Sequence, residues 1–166
     1  MTSATVETTA QRTAMETDEQ QYLTFMLGEE LYGVDILKVQ EIKGYTEVTR
    51  IPNTPPYIKG VLNLRGTIVP IVNLRTKFGM EEVEITAFTV IVVVVVKSRV
   101  MGIIVDSVSD VITLAGKDIQ PSPEFGTKVD TSFIMGIGTA GERLVTLLDI
   151  DRVLTDEEMA HMEAMA

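Results

Sequence analysis

The sequence predicts a mostly β fold, two similar small barrels in one chain, and three observations carry that prediction. The first is the stretch from Tyr57 to Arg75. Two apolar, β-branched runs there flank Asn63-Leu64-Arg65-Gly66, which is turn chemistry between strands, with Gly66 free to take a positive φ. The second is a copy of that hairpin. Shifted by 76 positions, it aligns without a gap: Tyr57 meets Phe133, Gly60 meets Gly136, Ile68-Val69 meets Leu144-Val145, and Ile71-Val72-Asn73-Leu74 meets Leu147-Leu148-Asp149-Ile150. The third is an upstream echo at a shift of 69, where Gly33 meets Gly102, Val39 meets Val108, Glu41 meets Asp110 and Ile42 meets Val111. Glycines and aromatics register as well as aliphatics, so the match exceeds a shared preference for valine. Two copies at this spacing argue for paired units rather than a solenoid.

Each element follows in order. Residues 1–20 are rich in Thr, Glu and Gln, almost free of large apolar groups, and predict a disordered tail. Tyr22 to Leu27 predicts the first strand, Gly28-Glu29-Glu30 a turn, and Leu31 to Val34 the second strand. Asp35 is placed to cap a short helix, because Ile36, Val39 and Ile42 fall three apart, and Gly44 would end it. Val48 to Ile51 predicts a short strand; Pro52, Pro55 and Pro56 forbid central pairing and mark a loop. The first hairpin follows, closed by Arg75 to Gly79. Met80 to Thr86 predicts an acidic connector. Ala87 to Val96 and Val100 to Val105 predict strands joined at Lys97-Ser98-Arg99, the valine run suiting a strand buried on both faces. Val108 to Leu114 predicts another strand, and residues 119–126 a loop ending in an aromatic. The second hairpin comes next. Thr155-Asp156-Glu157-Glu158 is a capping box that opens a terminal helix with Met159 and Met162 inward. Many short strands between turn signals suggest small barrels.

The totals exclude several classes. At 166 residues the chain suits one compact domain or two small intertwined ones. With no cysteine there is no disulfide, thiolate ligand or thiol nucleophile, which fits a reducing compartment. The first residues lack a basic stretch followed by an apolar run, so no signal peptide is expected, and the longest apolar run, Val90 to Val96, is far short of a membrane span. The net charge of −10 disfavours binding nucleic acid through phosphates. It is unevenly placed: residues 22–80 carry seven basic and five acidic residues, residues 81–166 six and fifteen.

A search for an active site finds little. The single histidine, His161, lies among polar and methionine neighbours on the terminal helix, and an exposed helix residue is the plain reading. No nucleophile elbow or phosphate loop is present; Gly136-Ile137-Gly138-Thr139-Ala140-Gly141 sits in a hairpin with no helix after it. Asp106 and Asp110 are conceivable as an acid or metal pair, against the plainer reading of turn and surface carboxylates. What remains is surface for partners. Arg65 sits at a turn between apolar flanks, near Val39, Glu41 and Ile42, and interface centres favour such a mixture of Arg and aliphatics. Glu41 can pair with Arg65 or with a partner; the residues alone do not choose. Phe125, after Pro121-Ser122-Pro123, is either an anchor or a loop aromatic tucked into its own core.

The same residues carry a resemblance. The run from Phe25 through Leu27-Gly28-Glu29-Glu30-Leu31-Tyr32-Gly33-Val34-Asp35 to Ile42, followed by Tyr57 to Gly66, resembles the CheW family of bacterial chemotaxis adaptors. The likeness continues through Val105-Asp106-Ser107-Val108-Ser109-Asp110-Val111 and Pro123-Glu124-Phe125 to the terminal helix, covering residues 20–163. It implies two intertwined SH3-like five-stranded β-barrels with a few short helices and a shared core. The CheW-like domain would occupy 21–163, with the first barrel mainly in 22–80, the second mainly in 87–150 and a C-terminal helix at 155–164. It implies no catalysis, metal or cofactor, and a cytoplasmic protein recruited to receptor arrays without inserting into the membrane. The implied partners are the cytoplasmic tips of chemoreceptors and the regulatory domain of the CheA histidine kinase, with no nucleic acid. Carried over position by position, the receptor groove would include Val39, Glu41, Ile42, Arg65, Val90, Val108 and Val111, and the kinase contact Gln120 and Phe125. The rivals are a small-molecule-binding β-barrel, a hydrolase working through Asp106 and Asp110, and a stand-alone kinase regulatory module.

Overall fold

The computed structural model describes residues 19–121 and 133–153. Among these, eleven strands form two sheets: β1 (Gln20–Leu27), β2 (Glu30–Asp35), β3 (Val39–Gly44), β4 (Ile58–Leu64), β5 (Thr67–Asn73), β6 (Val90–Val96), β7 (Arg99–Val105), β8 (Ser107–Leu114), β9 (Ile119–Gln120), β10 (Ile134–Ala140) and β11 (Arg143–Leu148). A single α-helical turn, α1 (Leu74–Lys77), follows β5, capped by the Asn73 carboxamide, which accepts from the Arg75 and Thr76 amides. One sheet runs β8-β1-β2-β11-β10-β9 and the other β3-β6-β7-β5-β4.

The sequence repeat maps these sheets onto each other. Under the two shifts β1 becomes β6, β2 becomes β7, β3 becomes β8, β4 becomes β10 and β5 becomes β11. The pairing obeys the same map. Ile71↔Gly102 and Val72↔Ile103 in the parallel β5–β7 ladder answer to Leu147↔Gly33 and Leu148↔Val34 in the parallel β11–β2 ladder. Ile42↔Val92 answers to Leu23↔Val111. Even the sixth strand has a counterpart, since β9 pairs Gln120 with Ile137 while the other sheet keeps an isolated bridge from Thr49 to Val61. The expected barrel fold is therefore observed, with β9 raising one sheet from five strands to six. The units exchange strands: the five-stranded sheet takes β3, β4 and β5 from the first half and β6 and β7 from the second, and the six-stranded sheet takes β1 and β2 from the first half and the rest from the second. Residues 22–80 and 87–150 each contribute to both sheets.

Alternation along the strands divides the apolar residues among three clusters. In β6, Ile91 and Val93 pack inside the five-stranded barrel with Leu64, Val69, Ile71 and Ile104. Val92, Val94 and Val96 face the other way, into a central cluster with Leu23, Phe25 and Leu27 of β1 and Met101, Ile103 and Val105 of β7. The third cluster, Tyr22, Leu31, Leu114, Val145 and Leu147, fills the six-stranded barrel. A chain that buries both faces of its central strands needs continuous apolar runs, which explains the valines of β6. The barrels leave little room beside glycines at equivalent inner positions, less at Gly102 than at Gly33. A Cβ on Gly102 would stand 2.7 Å from Ile71 Cδ1, and one on Gly33 3.1 Å from Leu147 Cδ2.

Three local expectations are corrected, the first at Ile119–Gln120, which the sequence assigns to a loop and which pairs with β10 as strand β9. Residues 36–44 do not form one helix. A single 3-10 turn, Ile36–Lys38, capped where the Asp35 carboxylate accepts from the Leu37 amide at 2.9 Å, gives way directly to strand β3. Pairing of β3 with the valine strand β6 outweighs the three-residue spacing that suggested a helix, and Val39 and Ile42 are β-branched. The strand expected at Val48 to Ile51 shrinks to the single bridge at Thr49. Phe125, His161, the Thr155–Glu158 capping box, Met159, Met162, the terminal helix and the tail through residue 18 lie outside the described residues.

Candidate interaction surface

β3 and β8 are repeat counterparts, and each is an edge strand of its sheet. An edge leaves backbone groups open on one side, and each of these two strands carries a large apolar residue that stays exposed. Val39 on β3, Val108 on β8 and Val90 on β6 are half-buried and pack against the central cluster. Ile42 and Val111 are counterparts and stay 46% and 47% exposed. Their cross-strand partners, Val92 and Leu23, both belong to the central cluster, so each sits on the sheet face that borders it. The fold thus brings Val39, Val90 and Val108 to one cluster and extends it outward through Ile42 and Val111.

Arg65 lies in the β4–β5 turn with φ +51, and its side chain is largely exposed. The turn is fixed by the Asn63 carboxamide, which accepts from the Gly66 amide at 2.7 Å. Its guanidinium Nη2 reaches Glu41 Oε1 of β3 at 2.8 Å, so the alternative left open by the sequence resolves to an internal pair. That hydrogen bond lowers the Glu41 pKa and raises that of Arg65. Arg65 also lines a surface cavity of about 190 Å³ with Gln40, Leu64, Thr67, Val69 and Val100. Gln120 is exposed on β9, the far edge of the six-stranded sheet, away from β8 in the strand order.

Asp106 and Asp110 are occupied. The Asp106 carboxylate accepts from Arg75 Nε at 2.8 Å and Nη2 at 2.5 Å, and from the Gly28 amide at 2.8 Å. The Arg75 hydrogen bond lowers the Asp106 pKa, and the Gly28 amide adds to the effect. Asp110 is held by buried Thr24. The hydroxyl accepts from the Asp110 amide at 3.0 Å and lies 2.7 and 2.8 Å from its carboxylate and carbonyl oxygens. Among the described residues no cluster of potential metal ligands occurs. Both carboxylates brace the backbone where strands meet.

Sequence reasoning missed Leu37, the most exposed large apolar residue described, at 83%. It lies in the 3-10 turn just before Val39, where the helical reading directed attention to the 36, 39 and 42 positions. Among the described residues no helix is long and apolar enough to cross a membrane.

The CheW-like domain family matches residues 21–158. The chemotaxis protein CheW of Klebsiella aerogenes is 51% identical over 158 residues, covering 95% of each chain. The chemotaxis protein CheW of Rhizobium meliloti is 40% identical over 136 residues, 82% of this chain and 88% of that one. The crystal structure of the scaffolding protein TtCheW from Thermoanaerobacter tengcongensis aligns with a TM-score of 0.77 at 32% identity, over 84% of this chain and 94% of that one. Matched span, identities and duplicated barrel architecture agree, and this chain belongs to the CheW-like family of chemotaxis proteins.

Proposed function

We propose that this protein is a non-catalytic cytoplasmic adaptor that couples chemoreceptors to the CheA histidine kinase at membrane-associated receptor arrays. The observation that carries the reading is the pair of equivalent apolar edges, β3 and β8, around one cluster, with Arg65 and Glu41 beside them. A helical hairpin at a receptor tip presents an apolar stripe, and Val39, Ile42, Val90, Val108 and Val111 offer aliphatic surface to receive it. Arg65, already near a carboxylate, is placed to exchange Glu41 for an acidic side chain of the partner and so fix register. Gln120 and Phe125 remain the proposed kinase contact. Packed barrel interiors favour this reading over a small-molecule-binding barrel, because aliphatic side chains fill the space a ligand would need. Adaptors that work in a lattice tolerate weak single contacts, since linked sites raise the effective concentration.

The test is a titration and co-precipitation with a receptor-tip fragment and a kinase regulatory-domain fragment. An adaptor forms both binary complexes and a ternary one. Binding of the kinase fragment alone would make the chain a stand-alone kinase regulatory module and remove the coupling role.

A further inference from the structure

Among the described residues two ion pairs tie the barrels together, and they are quasi-equivalent with their charges reversed. In the first joint the cation, Arg75, follows β5; the carboxylate, Asp106, sits on the β7–β8 crossover and accepts from the Gly28 amide in the β1–β2 turn. In the second the carboxylate, Asp151, follows β11; the cation, Lys38, sits on the β2–β3 crossover, and the Lys97 amide in the β6–β7 turn donates to Asp151. The shift of 76 carries Arg75 onto Asp151, and the shift of 69 carries Gly28 onto Lys97. Lys38 stands one place after Leu37, the strict counterpart of Asp106. Each joint gathers a crossover between sheets, the end of a strand from one sheet and a turn from the other.

The joints are unequal. Arg75 grips Asp106 with two nitrogens and donates its third to the Glu81 carbonyl at 2.9 Å, and its side chain is 14% exposed. Lys38 offers one nitrogen at 2.9 Å, the Lys97 amide stands at 3.3 Å, and the two side chains are 39% and 30% exposed. A forked guanidinium holds its partner's orientation, whereas an ammonium on a flexible stem does not. Each joint also leads straight into an edge strand of the proposed groove, with Val39 directly after Lys38 and Val108 two residues beyond Asp106.

We infer that Lys38 and Asp151 are positioning residues: their joint is the yielding one of the pair, and it sets how far the barrels swing about the firm Arg75–Asp106 joint and hence the setting of β3 against β8. The inference rests on the adaptor reading for its use, but not for its test. Because the chain has no cysteine, Thr67→Cys on β5 and Thr139→Cys on β10 place a single spin label on each sheet. In the unliganded protein, Asp151→Asn and Lys38→Met should each broaden the label-to-label distance distribution and keep cooperative unfolding. The conservative variant Lys38→Arg, which keeps the charge and leaves the Asp151 carboxylate to accept from the Lys97 amide, should keep it narrow, and Arg75→Met should lower the melting temperature more than Asp151→Asn or Lys38→Met. An unchanged distribution in both single variants, or a loss of folding in them as large as in Arg75→Met, overturns the inference. Receptor binding, measured separately on the same variants, bears on the adaptor reading alone.

Discussion

Gly102→Ala tests the packing that separates a filled barrel from a ligand-binding one. The added Cβ would lie 2.7 Å from Ile71 Cδ1 and 2.8 Å from Ile91 Cγ2. Carbon pairs rest at about 3.5–4.0 Å, so each overlap approaches an ångström. Both isoleucines are fully buried, and the Ile91 methyl sits on a β-branched carbon with little freedom to turn. Overpacking of this kind costs about 1–3 kcal/mol, partly offset by the ~0.4–1 kcal/mol that alanine gains through the unfolded chain. The net expectation is about 1–2 kcal/mol lost. Gly44→Ala is the control, because nothing lies within 4 Å of its Cβ, and it should be neutral or slightly stabilising. Ile71→Val deletes one of the two clashing atoms and alone costs about 0.5–1.5 kcal/mol. Combined with Gly102→Ala it should recover roughly 1 kcal/mol relative to additivity, leaving the Ile91 overlap in place. Urea unfolding midpoints at constant m-value measure the four variants against wild type. Equal stability of Gly102→Ala and Gly44→Ala, or strict additivity in the double variant, would refute the argument and reopen the case for a cavity.

Three further outcomes follow from the same geometry. Arg65→Ala should weaken binding of a receptor-tip fragment in titration and leave the melting temperature unchanged, because the Glu41 pair is solvent-exposed and screened. Asp106→Asn should cost about 2 kcal/mol at neutral pH, where it breaks a charge-assisted fork. Because the folded state lowers the Asp106 pKa, its contribution is present above the ordinary carboxylate range and lost as pH falls through the folded value. The variant's stability curve should accordingly be flatter than wild type on the acid side in denaturation run at a series of pH values. Thr24→Val should cost about 1–3 kcal/mol in chemical denaturation, since it leaves the Asp110 amide without its acceptor at the β1–β8 register shift.

The hairpins and the valine strand were legible because their signals are local. Turn residues at Asn63 to Gly66 and a period of two in the flanks need no knowledge of partners. The 36–44 segment was misread for the opposite reason: its three-residue spacing is local, but the ladder that makes it a strand belongs to β6, some fifty residues on. Arg75 and Asp106 are 31 positions apart, and no periodicity links a guanidinium to a distant carboxylate. The aliphatic members of the proposed groove come from the repeat and the resemblance, whereas the Glu41–Arg65 pair needed coordinates to choose between two partners.

Strand exchange is the deepest feature the repeat leaves open, and it bears most on function. Two copies of a β-unit present equivalent strands, so β1 and β6 are alike as partners for β3 or β8. The hydrophobic pattern is the same either way; what differs is the crossover. Here β2 leads into β3 through only Ile36–Lys38, and β7 into β8 through Asp106. Connections that short carry the chain out of one sheet and into the other, so each edge strand is stitched to the centre of the opposite barrel. A partner lying along β3 and β8 would therefore press on both sheets through both crossovers, and tilting either barrel would move both walls of the proposed groove. If the inferred joint yields as proposed, the two ion pairs at these crossovers, rather than any residue within a barrel, should control the setting of β3 against β8.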